Sequence, residues 1–132
     1  MTTETVTYPN LTDEKILSTL KALASESPEF VYSSPEHQIG TVSMSSCFYV
    51  HTDPETKEPV SAGCIVGKVL HELGVPLEVL QKYESTSANK LLEEIAPETT
   101  SNARFRVDVA QTYQDDGQPW GLAYEMATEA TI

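Results

Sequence analysis

Helix-breaking residues recur at short intervals through the second half of this chain, and they limit what it can build. Gly74 with Pro76, then Pro97, then Gly117 with Pro119 cut it into short segments. Apolar residues recur at helical spacing within those segments. Ile65, Val66, Val69, Leu70 and Leu73 form the first stripe, and Leu77, Leu80 and Tyr83 the second. After the N-cap candidates Ser85-Thr86-Ser87 comes a segment from Lys90 to Ile95. A longer helix follows from about Thr100 to Asp116, with Ala103, Val107, Ala110 and Tyr113 on one face. Pro119 restarts the chain into a last helix carrying Trp120, Ala123, Tyr124 and Ala127.

The first half is less uniform. Thr12 is a good N-cap, with Asp13 and Glu14 set to complement the helix dipole. Leu11 and Ile16 have hydrophobic-staple spacing, and Pro28 limits this helix to about residue 25. Residues 1–10 are polar and read as a flexible lead-in. Phe30-Val31-Tyr32 reads as one strand or an extended connector. From Thr41 to His51 the period changes to two, with Val42, Met44, Phe48 and Val50 on the buried parity. A polar turn from Thr52 to Pro59 leads to Val60-Ser61 as a brief return strand. The expected fold class is α+β, predominantly α-helical, with five to six helices and a small β-hairpin or short sheet near the middle. Residues 11–132 form a single globular domain in this reading, a size that suits one core.

Charge narrows the function classes. The chain carries 20 acidic and 8 basic residues, a net charge of −12. Phosphates and anionic lipid repel such a surface, so neither nucleic acid nor membrane is an expected direct partner. The acidity either solubilises the chain or imitates nucleic acid in a partner's basic groove. No apolar run approaches the roughly 20 residues of a membrane span. Met1-Thr2-Thr3-Glu4 lacks the pattern of a signal peptide, and two cysteines make no disulfide framework. These features predict a reduced, cytoplasmic protein.

The stretch from Cys47 to Gly74 holds both cysteines and two of the three histidines, so candidate chemistry concentrates there. Gly63-Cys64-Ile65-Val66-Gly67-Lys68 suggests a phosphate loop, but three residues separate its glycines where four are needed, and Val69 replaces the magnesium-binding hydroxyl. His71-Glu72 lacks the second histidine of a zinc protease, because Val75 stands there. Cys47, His51, Cys64 and His71 are the candidate zinc ligands. Their spacing is poor, since Cys64 and His71 lie about 10 Å apart along a helix axis. No metal or other cofactor is expected. The candidate catalytic set is Cys64 as a nucleophile at a helix start, His51 as its base and Asp53 orienting that base. The alternative is a structural, buried cysteine.

Two further segments carry a resemblance. Cys64-Ile65-Val66-Gly67 with Leu70 and Gly74, and Gln114-Asp115-Asp116-Gly117 with Trp120-Gly121-Leu122-Ala123, are similar to motifs of small uncharacterised proteins of actinobacteria and their phages. That group carries a C-x-x-G-x-x-L helix and a Q-D-x-G-x-x-W-G-x-A ending. The resemblance implies a small accessory protein, phage-encoded, at work in a bacterial cytoplasm. It carries over no catalytic residue.

The expected function is non-enzymatic: a small acidic accessory protein that binds a protein partner, a bacterial host protein if the gene is a phage's. Candidate contact residues are Trp120 and, on the polar turn, Asp53, Glu55 and Glu58. The alternatives are a nucleic-acid mimic that blocks a nucleic-acid-binding protein, and a small cysteine-dependent enzyme centred on Cys64. Homo-oligomerisation stays open.

Overall fold

Thr12 starts the first helix. Its hydroxyl accepts the Lys15 N–H at 3.2 Å, and Leu11 and Ile16 on either side are both buried. The computed structural model describes residues 8–33, 35–38, 48–84 and 86–130. Within them run six α-helices and one two-stranded antiparallel sheet, the mostly helical α+β fold that the breaker spacing predicts. The helices are α1 (Asp13–Glu26), α2 (Ile65–Glu72), α3 (Leu77–Gln81), α4 (Ala88–Ile95), α5 (Ser101–Asp115) and α6 (Trp120–Glu129). The strands are β1 (Val50–Thr52) and β2 (Pro59–Ala62), with His51 opposite Ser61 and a register shift after His51.

Local chemistry sets the boundaries. Ser87 and Thr100 cap α4 and α5 through their hydroxyls, and Pro76 and Pro119 precede the first residues of α3 and α6. Gly74 and Gly117 adopt positive φ where α2 and α5 stop. α5 packs along α6 and touches α4, α2 and α1, so the core forms around it. Asp13 ties the starts of α1 and α5 together. Its carboxylate accepts the Thr100 N–H at 3.0 Å and the Thr100 hydroxyl at 2.8 Å.

Two expectations change and one open alternative is decided. The strand portion from Thr41 to Cys47 lies outside the described residues, and Phe48 and Tyr49 precede the strand rather than joining it. Phe48 and Val50 are buried as the period of two requires, but so is Tyr49, on the opposite parity. Its ring has a covering of its own, because its hydroxyl sits between the α3–α4 connection and α5. Phe30-Val31-Tyr32 is a connector, not a strand, with Tyr32 buried and Phe30 and Val31 exposed. The lead-in is not wholly loose, since Tyr8 packs against the core and its carbonyl accepts the Leu11 N–H at 2.9 Å. Residues 1–7 lie outside the described residues.

Gly67 shows why α2 lies so close to the strand. A Cβ there would stand 2.2 Å from the Tyr49 carbonyl oxygen, a backbone atom that cannot step aside. Gly74 has open space around it and needs glycine only for its φ of 107°. Gly67→Ala is therefore expected to cost about 3 kcal/mol and Gly74→Ala only about 1 kcal/mol. Urea unfolding of the two variants checks this, and equal losses would contradict the packing argument.

Candidate functional site

Around Phe48, Tyr49 and Val50 the backbone polar groups are bound one by one, largely by side chains. The Cys64 and Gly63 N–H groups donate to the carbonyls of Phe48 and Tyr49, each at 2.9 Å. The Glu84 carboxylate accepts the Tyr49 N–H at 2.8 Å and the Val50 N–H at 3.2 Å. Buried Gln38 acts like a missing strand, its amide donating to the Val50 carbonyl at 3.0 Å and accepting the Thr52 N–H at 2.9 Å. Phe48 N–H points to the Tyr32 hydroxyl at 3.4 Å.

Glu84 binds backbone donors, and burial is the larger effect on it. Loss of water pushes its carboxyl up to about 7, against the pull of the two N–H groups. The Tyr49 phenol is pushed well above its usual range, first by burial and then by Glu84, Asp108 and Asp115, while Gln111 pulls the other way. That phenol donates to the Thr86 carbonyl and accepts from the Gln111 amide at 3.1 Å.

Two glutamines one turn apart on α5 complete the cluster. The Gln111 side-chain oxygen accepts the Ala88 N–H, the first of α4, at 3.0 Å. That of Gln114 accepts the Ile65 N–H, the first of α2, at 2.8 Å, and also the Trp120 indole N–H at 3.2 Å. First-turn N–H groups have no partner inside their own helix, so these are helix caps supplied from another helix.

The sequence-derived candidates come out as follows. Cys64 is fully buried at the N-cap of α2 and is disulfide-bonded, which corrects the expectation of free thiols. In that state its sulfur is neither a thiolate nucleophile nor a zinc ligand. Cys47 lies outside the described residues. His51 lies on β1, where its Nε2 is 2.9 Å from the Tyr32 hydroxyl and its ring crowds Gly63. The direction of that bond follows the histidine tautomer. Asp53 holds the hairpin turn, its carboxylate oxygen accepting the Glu55 and Thr56 N–H groups at 2.8 and 3.0 Å. His71 sits at the far end of α2 from Cys64, its Nδ1 donating to the Val75 carbonyl at 3.0 Å. The described residues hold no group of three or more His, Cys, Asp or Glu placed to share a metal ion.

Trp120 is buried rather than offered to a partner. Its ring centroid lies 4.6 Å from that of Phe30, and its backbone N–H donates to the Phe30 carbonyl at 2.9 Å. Glu55 and Glu58 are exposed on the hairpin. Sequence reasoning passed over Glu84 and Gln38. A glutamine or glutamate that binds backbone far along the chain leaves no periodic or spacing signal. Among the described residues, no helix is long and apolar enough to cross a membrane.

Three measurements follow from this geometry. Gln114→Leu strands two buried donors, on Ile65 and Trp120, and is expected to cost roughly 2–5 kcal/mol by urea unfolding. A loss near zero would remove Gln114 from its bridging role. For Glu84, the folded carboxyl titrates near 7 and the reference value is 4.5, so its contribution to stability is full below 4.5 and lost as pH rises through 7. The stability advantage of the natural chain over Glu84→Gln should therefore shrink between about pH 5 and about pH 8. An advantage that grows with pH would mean that the two N–H donors outweigh burial. Iodoacetamide should leave Cys64 unmodified unless the protein is first reduced, as read by intact mass. Rapid alkylation without reductant would contradict the disulfide.

No family model matches the chain, and neither a curated protein nor a solved structure matches it.

Proposed function

We propose that this chain is a non-catalytic accessory protein that binds a protein partner through its acidic exterior. The observation that supports the reading is where the polar chemistry lies. The buried amides and the buried phenol are taken up by backbone groups, while a net charge of −12 is carried largely at exposed positions such as Glu26, Glu29, Glu55, Glu58, Glu93 and Glu94. Such a surface attracts a basic face at long range and sets partner choice by charge.

The companion reading makes the carboxylates a substitute for phosphates, so that the chain blocks a nucleic-acid-binding protein. The same net charge favours it. A cysteine-dependent enzyme is the weaker reading, because the Cys64 sulfur is bonded in the disulfide. The resemblance to actinobacterial and phage proteins would supply a bacterial host protein as partner. A disulfide weighs against a reducing cytoplasm, where thiols are kept reduced. The oxidised protein is therefore proposed to meet its partner outside such an environment.

Affinity capture with the immobilised chain, from bacterial extract at about 50 mM and about 500 mM salt, tests the proposal. A partner held at low salt and released at high salt is the expected result. A partner retained equally at both would replace charge recognition by an apolar interface, and no partner at either salt would overturn the binding reading.

A further inference from the structure

We propose that the small cleft where α1, α5 and α6 meet binds a carboxylate carried on an aliphatic tail, held by the Arg106 guanidinium and the Tyr124 phenol. The inference is independent of the protein-binding reading above, because this cleft takes an anion where the acidic exterior takes a cation.

Two hydrogen-bond donors line this cleft without an acceptor. Arg106, on α5, is half-buried, and its Nε donates to the carbonyl of Ala130, the C-cap of α6, at 3.2 Å. That bond fixes the guanidinium and leaves both terminal nitrogens without a partner among the described residues. No described carboxylate pairs with Arg106, in a chain that carries 20 acidic residues. Tyr124, half-buried on α6, is the second donor, and its hydroxyl has no partner among the described residues. Neither group is sealed off, since among the described residues the buried side-chain polar atom lacking a partner is Arg104 Nε. Thr128 stands one turn beyond Tyr124, and its hydroxyl donates to the Glu125 carbonyl at 2.7 Å. Its proton is taken, so the cleft's open donors are those of Arg106 and Tyr124.

Size and lining select the ligand. The cleft has a volume of about 30 Å³, room for one or two water-sized groups. That is too small to enclose a whole metabolite, and it suits the two oxygens of a carboxylate. The planar fork of a guanidinium matches those oxygens in a bidentate pair. Leu17 and Leu20 on α1 and Ala127 on α6 form the apolar wall, which favours an aliphatic tail running out of the cleft. Phosphate brings more oxygens and more negative charge into the field of a chain of net charge −12, so it is the poorer fit. A short free aliphatic acid and the C-terminus of a polypeptide ending in an aliphatic residue present this same chemistry.

The test is a titration of the ¹⁵N-labelled protein with butyrate, inorganic phosphate, and a short valine-ended peptide as free acid and as amide. Butyrate is expected to shift the Arg106 Nε–H and the backbone amides from Tyr124 to Thr128, with a dissociation constant on the order of millimolar. Phosphate and the peptide amide should bind at least about tenfold more weakly than butyrate and the free peptide. Arg106→Lys keeps the charge but loses the fork, and should weaken butyrate about tenfold. Tyr124→Phe removes only a hydroxyl, so the fold persists while butyrate weakens by roughly three- to tenfold. Should Arg106→Lys disturb folding, Tyr124→Phe decides alone. Tighter binding of butyrate than of the free peptide assigns a free acid, and the reverse assigns a polypeptide C-terminus; either supports the carboxylate site. Phosphate bound as tightly as butyrate, or a peptide amide bound as tightly as its acid, would overturn the proposal. So would butyrate binding that neither variant weakens, or no saturable shift at all.

Discussion

The interaction on which the rest of this structure depends is a pair of side-chain amides one turn apart on α5. Gln111 and Gln114 each cap the first N–H of another helix, α4 and α2. One also reaches the Tyr49 phenol and the other the Trp120 indole. Short helices are marginal by themselves and expose unpaired donors at their starts. Cys64 gives α2 no side-chain cap, so its first N–H is satisfied from Gln114, 49 residues along the chain. The buried amides therefore set how α2 and α4 are placed on α5, as well as adding stability.

Much of the architecture was legible from local signals. Thr12, Ser87 and Thr100 as caps, Gly74 and Gly117 as stops, and Pro76 and Pro119 before helix starts all act over a few residues, and the helices begin and end where these signals fall. What was illegible is long-range. Tyr49 breaks the strand alternation because a partner in α5 takes its hydroxyl, and no window around residue 49 contains that partner. Glu84 and Gln38 look like ordinary polar residues until β1 is laid against them. Cys64 was noticed, but its chemical state depends on a tertiary neighbour, so a reactive thiol and a disulfide look alike in sequence.

The same contrast shapes the functional proposal. Residues that draw attention as chemistry, Cys64, His51 and Trp120, are engaged in a disulfide, a tyrosine hydrogen bond and the core. The surface has the unbalanced charge. Recognition through charge asks little of the interior except rigidity, which the capped and bridged helices supply.

Amide hydrogen exchange tests the central claim most directly. First-turn helix amides ordinarily exchange fast, because nothing in their own helix accepts them. Ile65 and Ala88, capped from α5, should instead exchange as slowly as core amides. Leu77, the first residue of α3, has no acceptor for its N–H among the described residues and should exchange fast. Gln114→Ala should release Ile65 selectively while leaving Ala88 protected. If Ile65 and Ala88 exchange as fast as Leu77 in the natural chain, the glutamine caps do not hold the helices and the account fails.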